Sequence, residues 1–142
     1  VGIDVKLRPS PDFGTWLKRI AGWDFDLSVD LPFNFPDPVI GVHRLFLCTN
    51  IKHIPWTNVG GYCSPRVDEI LNKAASEMDF QKRRALYVEF QKIITQDLPM
   101  YFLDEPALLT IYHRDLRNIP ESIWGVMAPI DKLYWKDGRA PK

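Results

Sequence analysis

Two consecutive apolar stripes of helical period, each opened by a residue suited to cap a helix, constrain this chain more than any other feature. Ser64 and Pro65 supply an N-cap and a first helical position, after which Val67, Ile70, Leu71 and Ala74 recur on one face. Asp68 and Glu69 fall near the positive end of that helix, which accounts for them without a general acid or base role. Asp79 caps the next helix, with Leu86, Tyr87, Phe90, Ile93 and Ile94 inward and Lys82, Arg83, Glu89 and Lys92 on a solvated face. Leu98-Pro99 ends it, because proline disfavours a helical conformation in the residue before it. Met100 to Leu103 and Leu108 to Tyr112 then read as strands.

Nearer the start, Ile3, Val5 and Leu7 alternate with Asp4, Lys6 and Arg8, the pattern of a strand. Ser10 reads as an N-cap with Pro11 at the first helical position, and Phe13, Trp16, Leu17, Ile20 and Ala21 form a stripe that Gly22 stops. Phe25, Leu27 and Val29 then alternate with Asp24, Asp26, Ser28 and Asp30, a second strand. Strand, helix and strand in this order predict a parallel pair with a right-handed crossover, hence an α/β class. Parallel sheets are buried on both faces and need more strands than this chain offers, so the expectation is a fragment or a chain completed by another copy. The start at Val1, with neither an initiator Met nor a signal pattern, reads the same way: a removed signal or a piece of something longer.

Composition removes several function classes. Eighteen basic residues balance eighteen acidic ones, so no global field draws in nucleic acid or an anionic membrane. No apolar run approaches the roughly 20 residues that span a bilayer. Phosphate-cradling, dinucleotide-binding, zinc-protease and nucleophile-elbow motifs are missing, and His43, His53 and His113 share no helical face on which to hold a metal. The expectation from these absences is neither an enzyme nor a cofactor. With 46% of its residues apolar and 13% aromatic, a chain of 142 residues has enough for a single core.

Leu31-Pro32-Phe33-Asn34-Phe35-Pro36 is a proline-rich aromatic loop, followed by Asp37-Pro38 as cap and first position of a helix carrying Val42, Leu45 and Phe46. A loop at the C-terminal end of a parallel strand is where open α/β sheets place ligands, but on the residues alone an ordinary connector plugging the core with two phenylalanines is the favoured reading. Between Thr49 and Gly61 lies a stretch expected to be mobile, with Trp56 able to stack on a ligand or to plug a loop. Cys48 and Cys63 read as two buried apolar residues or as a disulfide.

The stretch Asn58-Val59-Gly60-Gly61-Tyr62-Cys63-Ser64-Pro65-Arg66-Val67-Asp68-Glu69-Ile70-Leu71, then Arg84, Leu86-Tyr87 and Gln91, then Gln96-Asp97-Leu98-Pro99-Met100-Tyr101-Phe102, resembles the C-terminal part of the family 5 extracellular solute-binding proteins. These deliver oligopeptides, dipeptides, nickel complexes and some sugars to ATP-binding-cassette (ABC) importers. Trp124-Gly125-Val126-Met127-Ala128-Pro129 and Leu133-Tyr134-Trp135-Lys136 resemble their tail. The resemblance implies a fragment of a two-lobed periplasmic-binding-protein fold: a β-α-β unit, a cleft loop, two to three helices and return strands. Residues 1–98 would be the C-terminal part of the ligand-binding second lobe, and residues 99–142 the return segment and tail packing on the first.

The same resemblance implies a peptide or related small-molecule solute, a membrane permease as partner, no nucleic acid, and a periplasmic or extracellular lipid-anchored location. It implies ligand contacts from Leu31, Phe33, Asn34, Phe35 and Trp56, and a Cys48 to Cys63 disulfide, since a cysteine after a Leu-Phe pair and another opening the next helix are bridged in dipeptide-binding relatives. Closing a loop of that size removes roughly 3 kcal/mol of unfolded-chain entropy. The chain departs from the family where peptide-binding members hold the ligand's α-ammonium: Asn34 stands at the aspartate position and Leu31 at the tryptophan position. An amide offers no charge-assisted bond to an ammonium, so Phe33 and Phe35 point to a more apolar or aromatic ligand, a sugar or a conjugate. Two alternatives stay open: a self-associating structural module, a homo-oligomer that covers its own sheet edges, and a thiol enzyme using Cys63 at a helix start.

Overall fold

The computed structural model describes residues 2–105, 107, 109–122 and 124–138. Its centre is a pair of helices, α4 (Pro65–Ser76) and α5 (Phe80–Asp97), built by the two stripes. The Ser64 side chain accepts from Val67 N and Asp79 from Lys82 N, so each helix start has one of its orphan N–H groups satisfied. Val67, Ile70, Leu71 and Ala74 of α4 are buried, as are Phe90 and Ile94 of α5, with Leu86, Tyr87 and Ile93 packed beside them. Each such aliphatic or aromatic side chain contributes about 1.5–3 kcal/mol when fully removed from water. Leu98 ends α5 in the left-handed conformation, its N–H returning to Ile94 O.

Ahead of this pair, Asp37 caps α2 (Pro38–Gly41) and the chain re-enters a second short turn, α3 (His43–Phe46), after a break at Val42. Phe46 enters the core and meets the Phe90 ring edge-on at 5.1 Å. Farther out lies α1 (Phe13–Gly22), with Ile20 buried and Trp23 closing it in the left-handed conformation. The predicted Ser10 cap is corrected to Asp12, whose carboxylate accepts from both Thr15 N and Thr15 Oγ1. Ser10 Oγ instead accepts from Arg19 Nη1, which also reaches the Arg8 and Pro9 carbonyls.

The β-α-β unit and the return strands are not found among the described residues. Segments 3–8, 25–30 and 100–103 have no regular secondary structure, with bends at 26, 27 and 100, and the predicted strand 108–112 is irregular at 109–112 while Leu108 lies outside the described residues. A strand needs a neighbour for its ladder, and no backbone hydrogen bond between described residues gives these segments one. Two-residue strands β1 (Leu116–Arg117) and β2 (Tyr134–Trp135) pair antiparallel, with Leu116 opposite Trp135. The chain is therefore a small helical domain with a short antiparallel ladder, compatible with a piece of a periplasmic-binding protein. No helix among the described residues is long and apolar enough to cross a membrane.

Candidate functional site

The 31–36 loop is shaped by the helix that follows it. A Cβ on Gly41 would stand 2.6 Å from Phe35 N and 3.1 Å from Asn34 Cα, so the loop backbone lies against the end of α2 in space that only glycine leaves open. Arg44, on α3, donates from Nη2 to Phe33 O at 2.7 Å and from Nε to Gly41 O at 3.2 Å. Its guanidinium also lies 5.6 Å from the centre of the Phe35 ring, within the range of a cation–π contact. Phe35 is half-buried and packs on Trp124 at 6.1 Å, whereas Leu31, Phe33 and Asn34 are exposed. Leu31 N donates back to the Asp30 carboxylate.

At its far end the loop is tied to α5. Asp37 Oδ1 accepts from Val39 N at 2.9 Å and from Arg83 Nη2 at 2.7 Å, and both bonds hold its carboxyl below the usual carboxylate range, the backbone bond contributing most. Arg83, expected on the solvated face, is corrected to a partly buried partner of this ion pair. Its guanidinium also lies 5.7 Å from the Tyr87 ring, and the Tyr87 hydroxyl sits 3.0 Å from His43 Nε2. His43 is 4% exposed, and burial pushes its pKa down from 6.5, with Arg83 adding to that push and Asp37 opposing it.

Trp56 belongs to a different surface. It adopts φ 59, a conformation that costs a non-glycine residue roughly 1–2 kcal/mol, and packs 6.1 Å from Phe13 and 6.4 Å from Trp16 of α1. Nearby, the His53 ring stacks on Trp23 at 4.0 Å and its Nδ1 donates to Ala21 O at 2.7 Å. The Cys48–Cys63 bridge is formed, with the two Cα atoms 4.7 Å apart. Asn58, buried inside the loop so closed, donates from Nδ2 to Leu47 O at 3.1 Å and to Tyr62 O at 2.6 Å, and Asp68 accepts from Cys48 N. The stretch expected to be mobile is thus braced internally and by two aromatic contacts to α1.

Of the expected ligand residues, the structure groups Leu31, Phe33, Asn34 and Phe35 on one loop and sets Trp56 with the α1 aromatics. Arg44, Gly41 and Asn58 were not singled out by sequence reasoning; only Gly41, a glycine within a helix, carries a local signal that could have flagged it. Surface cavities of about 600 Å³ beside Lys73, Met78 and Leu86, and of about 550 Å³ beside Tyr112, Leu116 and Asn118, lie elsewhere. No group of histidine, cysteine or carboxylate residues that could hold a metal occurs among the described residues.

Comparison with known proteins places this arrangement in context. The chain is 30% identical over 106 residues to "Probable ABC transporter periplasmic-binding protein SapA" of Escherichia coli K12, a match covering 75% of the chain and 18% of that protein. It is 29% identical over 106 residues to "Peptide transport periplasmic protein SapA" of Salmonella typhimurium LT2, with the same coverage. The chain thus matches less than a fifth of the length of these curated relatives. No family model and no solved structure matches it. The resemblance read from the sequence is borne out by these two relatives.

Proposed function

From the chain's kinship with the SapA periplasmic-binding proteins of ABC transporters, we propose that it is a solute-binding segment of an importer's receptor, contributing to the second lobe of a two-lobed cleft protein. The observation that carries this reading is the alignment over three-quarters of the chain with two periplasmic proteins, one of them named for peptide transport. Residues 1–98 are read as lobe and 99–142 as return segment and tail. The 31–36 loop is read as ligand-facing: Phe33 and Asn34 are exposed on a backbone held by Arg44 and Gly41, a fixed surface of the sort that orients a ligand at low entropic cost. The aromatic group of Trp56, Phe13 and Trp16 is read as a second, flanking contact.

The partners are a peptide or related solute and a membrane permease, the location is the periplasm or a lipid-anchored outer surface, and the role is carriage without catalysis. The formed disulfide suits an oxidising compartment and takes Cys63 out of service as a nucleophile. A second reading, self-association, is favoured by the exposed apolar side chains Leu7, Leu27, Leu109 and Ile111. Native mass spectrometry of the unreduced chain separates the two. A monomer carrying a retained solute and the mass deficit of one disulfide supports the receptor segment; an empty oligomer defeats it in favour of the structural module.

A further inference from the structure

We propose that Arg44 determines the specificity of the 31–36 loop, fixing its backbone and making it a site for a neutral or anionic oxygen of the ligand and not for an ammonium. This rests on the reading of that loop as ligand-facing. One planar group joins three points: Phe33 O through Nη2, Gly41 O through Nε, and the face of Phe35. The close approach of the Asn34 and Phe35 backbone to Gly41 lets a single guanidinium reach both sides of the turn. Lysine, a point charge on a mobile stem, cannot reproduce that fork.

Charge follows from the same geometry. Arg44 contacts the residues on both sides of Asn34, so a fixed positive charge flanks a side chain that is itself uncharged. Asp37 is paired with Arg83 and accepts from Val39 N, while Asp30, at the entry to the loop, accepts only from Leu31 N among the described residues and keeps its charge. A guanidinium has five N–H donors. Two of them are used on Phe33 and Gly41, and the rest have no partner among the described residues. An oxygen brought to Asn34 therefore meets an amide donor and a cation, whereas an ammonium there meets the like charge of Arg44 and an uncharged amide in place of a carboxylate.

The test titrates the 142-residue chain and its Arg44→Gln and Arg44→Lys variants with two probes, acetyl-Phe-Ala-Phe, which is anionic, and Phe-Ala-Phe amide, which is cationic, by calorimetry. Amide hydrogen exchange of residues 31–36 is followed alongside. The expected result is a preference of about tenfold or more for the anionic peptide. Arg44→Gln abolishes that preference and speeds exchange across 31–36 with α4 and α5 unchanged, whereas Arg44→Lys retains part of the preference but not the protection. Equal affinities in the unaltered chain, or a preference that survives Arg44→Gln, overturn the proposal. If neither peptide binds and exchange still quickens in Arg44→Gln, the loop is braced by Arg44 without being a ligand site; that outcome overturns the ligand-facing reading and charge selection with it.

Discussion

Asn58 is 2% exposed, and its amide donates to the carbonyls of Leu47 and Tyr62, the residues that immediately precede the two bridged cysteines. It closes the same loop as the disulfide by a route that does not depend on oxidation. Asn58→Ala would leave two carbonyls without their donor, and we expect about 1–3 kcal/mol lost in urea unfolding of the oxidised chain. Unchanged unfolding would mean that water replaces the amide. At Gly41 the obstacle is backbone, which cannot swing aside as a side chain could, so Gly41→Ala should displace the 31–36 loop and lower stability by about 1–3 kcal/mol. His43 gives a pH dependence. Its folded pKa lies below 6.5, so the unfolded chain takes up protons first as pH falls through that value, and stability declines from there toward the folded pKa. The groups around it are Tyr87, Arg83 and Asp37. Asp37, held below its ordinary carboxylate value, acts in the same direction in a lower window, its contribution lost as pH falls through the folded pKa. Unfolding free energies measured from about pH 7.5 to 5.5 should fall, and His43→Gln should flatten that slope; a parallel slope in the variant would remove His43 as its source. The pairing of His43 with Tyr87, and of Asn58 with Leu47, cannot be read from neighbours along the chain, because the fold brings these residues together across 44 and 11 positions.

Helices α4 and α5 were legible because their signals are local: a capping Ser64 or Asp79 and a stripe of buried residues within one element. The strands expected at 3–8 and 25–30 failed for the complementary reason. Alternation of Ile3, Val5 and Leu7 describes a strand's faces, but the hydrogen bonds that make it a strand belong to a neighbour that local patterning does not specify. The same contrast separates the two kinds of interaction that α4 makes. Leu71, fully buried against the core of Phe46, Phe90 and Ile94, should lower stability by about 2–5 kcal/mol when changed to Ala. Glu69 pairs with Arg66 and Lys73 on an exposed surface, where side-chain entropy and solvent offset most of the attraction. Glu69→Gln should therefore leave stability nearly unchanged. Chemical unfolding of both variants checks the pair, and a Glu69 effect as large as that of Leu71 would show that the charged pairs within α4 matter as much to stability as the apolar seam against α5.

Across the whole molecule, burial is concentrated in α3, α4 and α5, while long apolar segments on either side stay exposed. Leu7 and Leu27 are each 85% exposed and Ile111 is 96% exposed, on irregular backbone without a backbone hydrogen-bond partner among the described residues. Exposed apolar side chains on backbone with unpaired hydrogen-bonding groups favour association, by apolar contact and by pairing with another chain. As a piece of a larger receptor the chain would have these segments covered by other parts of the same protein; as a separate chain it meets them first on other copies of itself. We expect the average mass of the isolated chain in sedimentation equilibrium to rise with concentration. Leu7→Lys together with Ile111→Lys, which places charge on both flanking segments while leaving the helical core untouched, should return it to a monomer with unchanged helical circular dichroism. A chain that stays monomeric throughout without these changes would show that the flanking segments do not associate, and would remove the self-associating alternative; assembly that persists in the double variant would place the contact elsewhere, the aromatic face of Phe13, Trp16 and Trp56 being the next surface to alter.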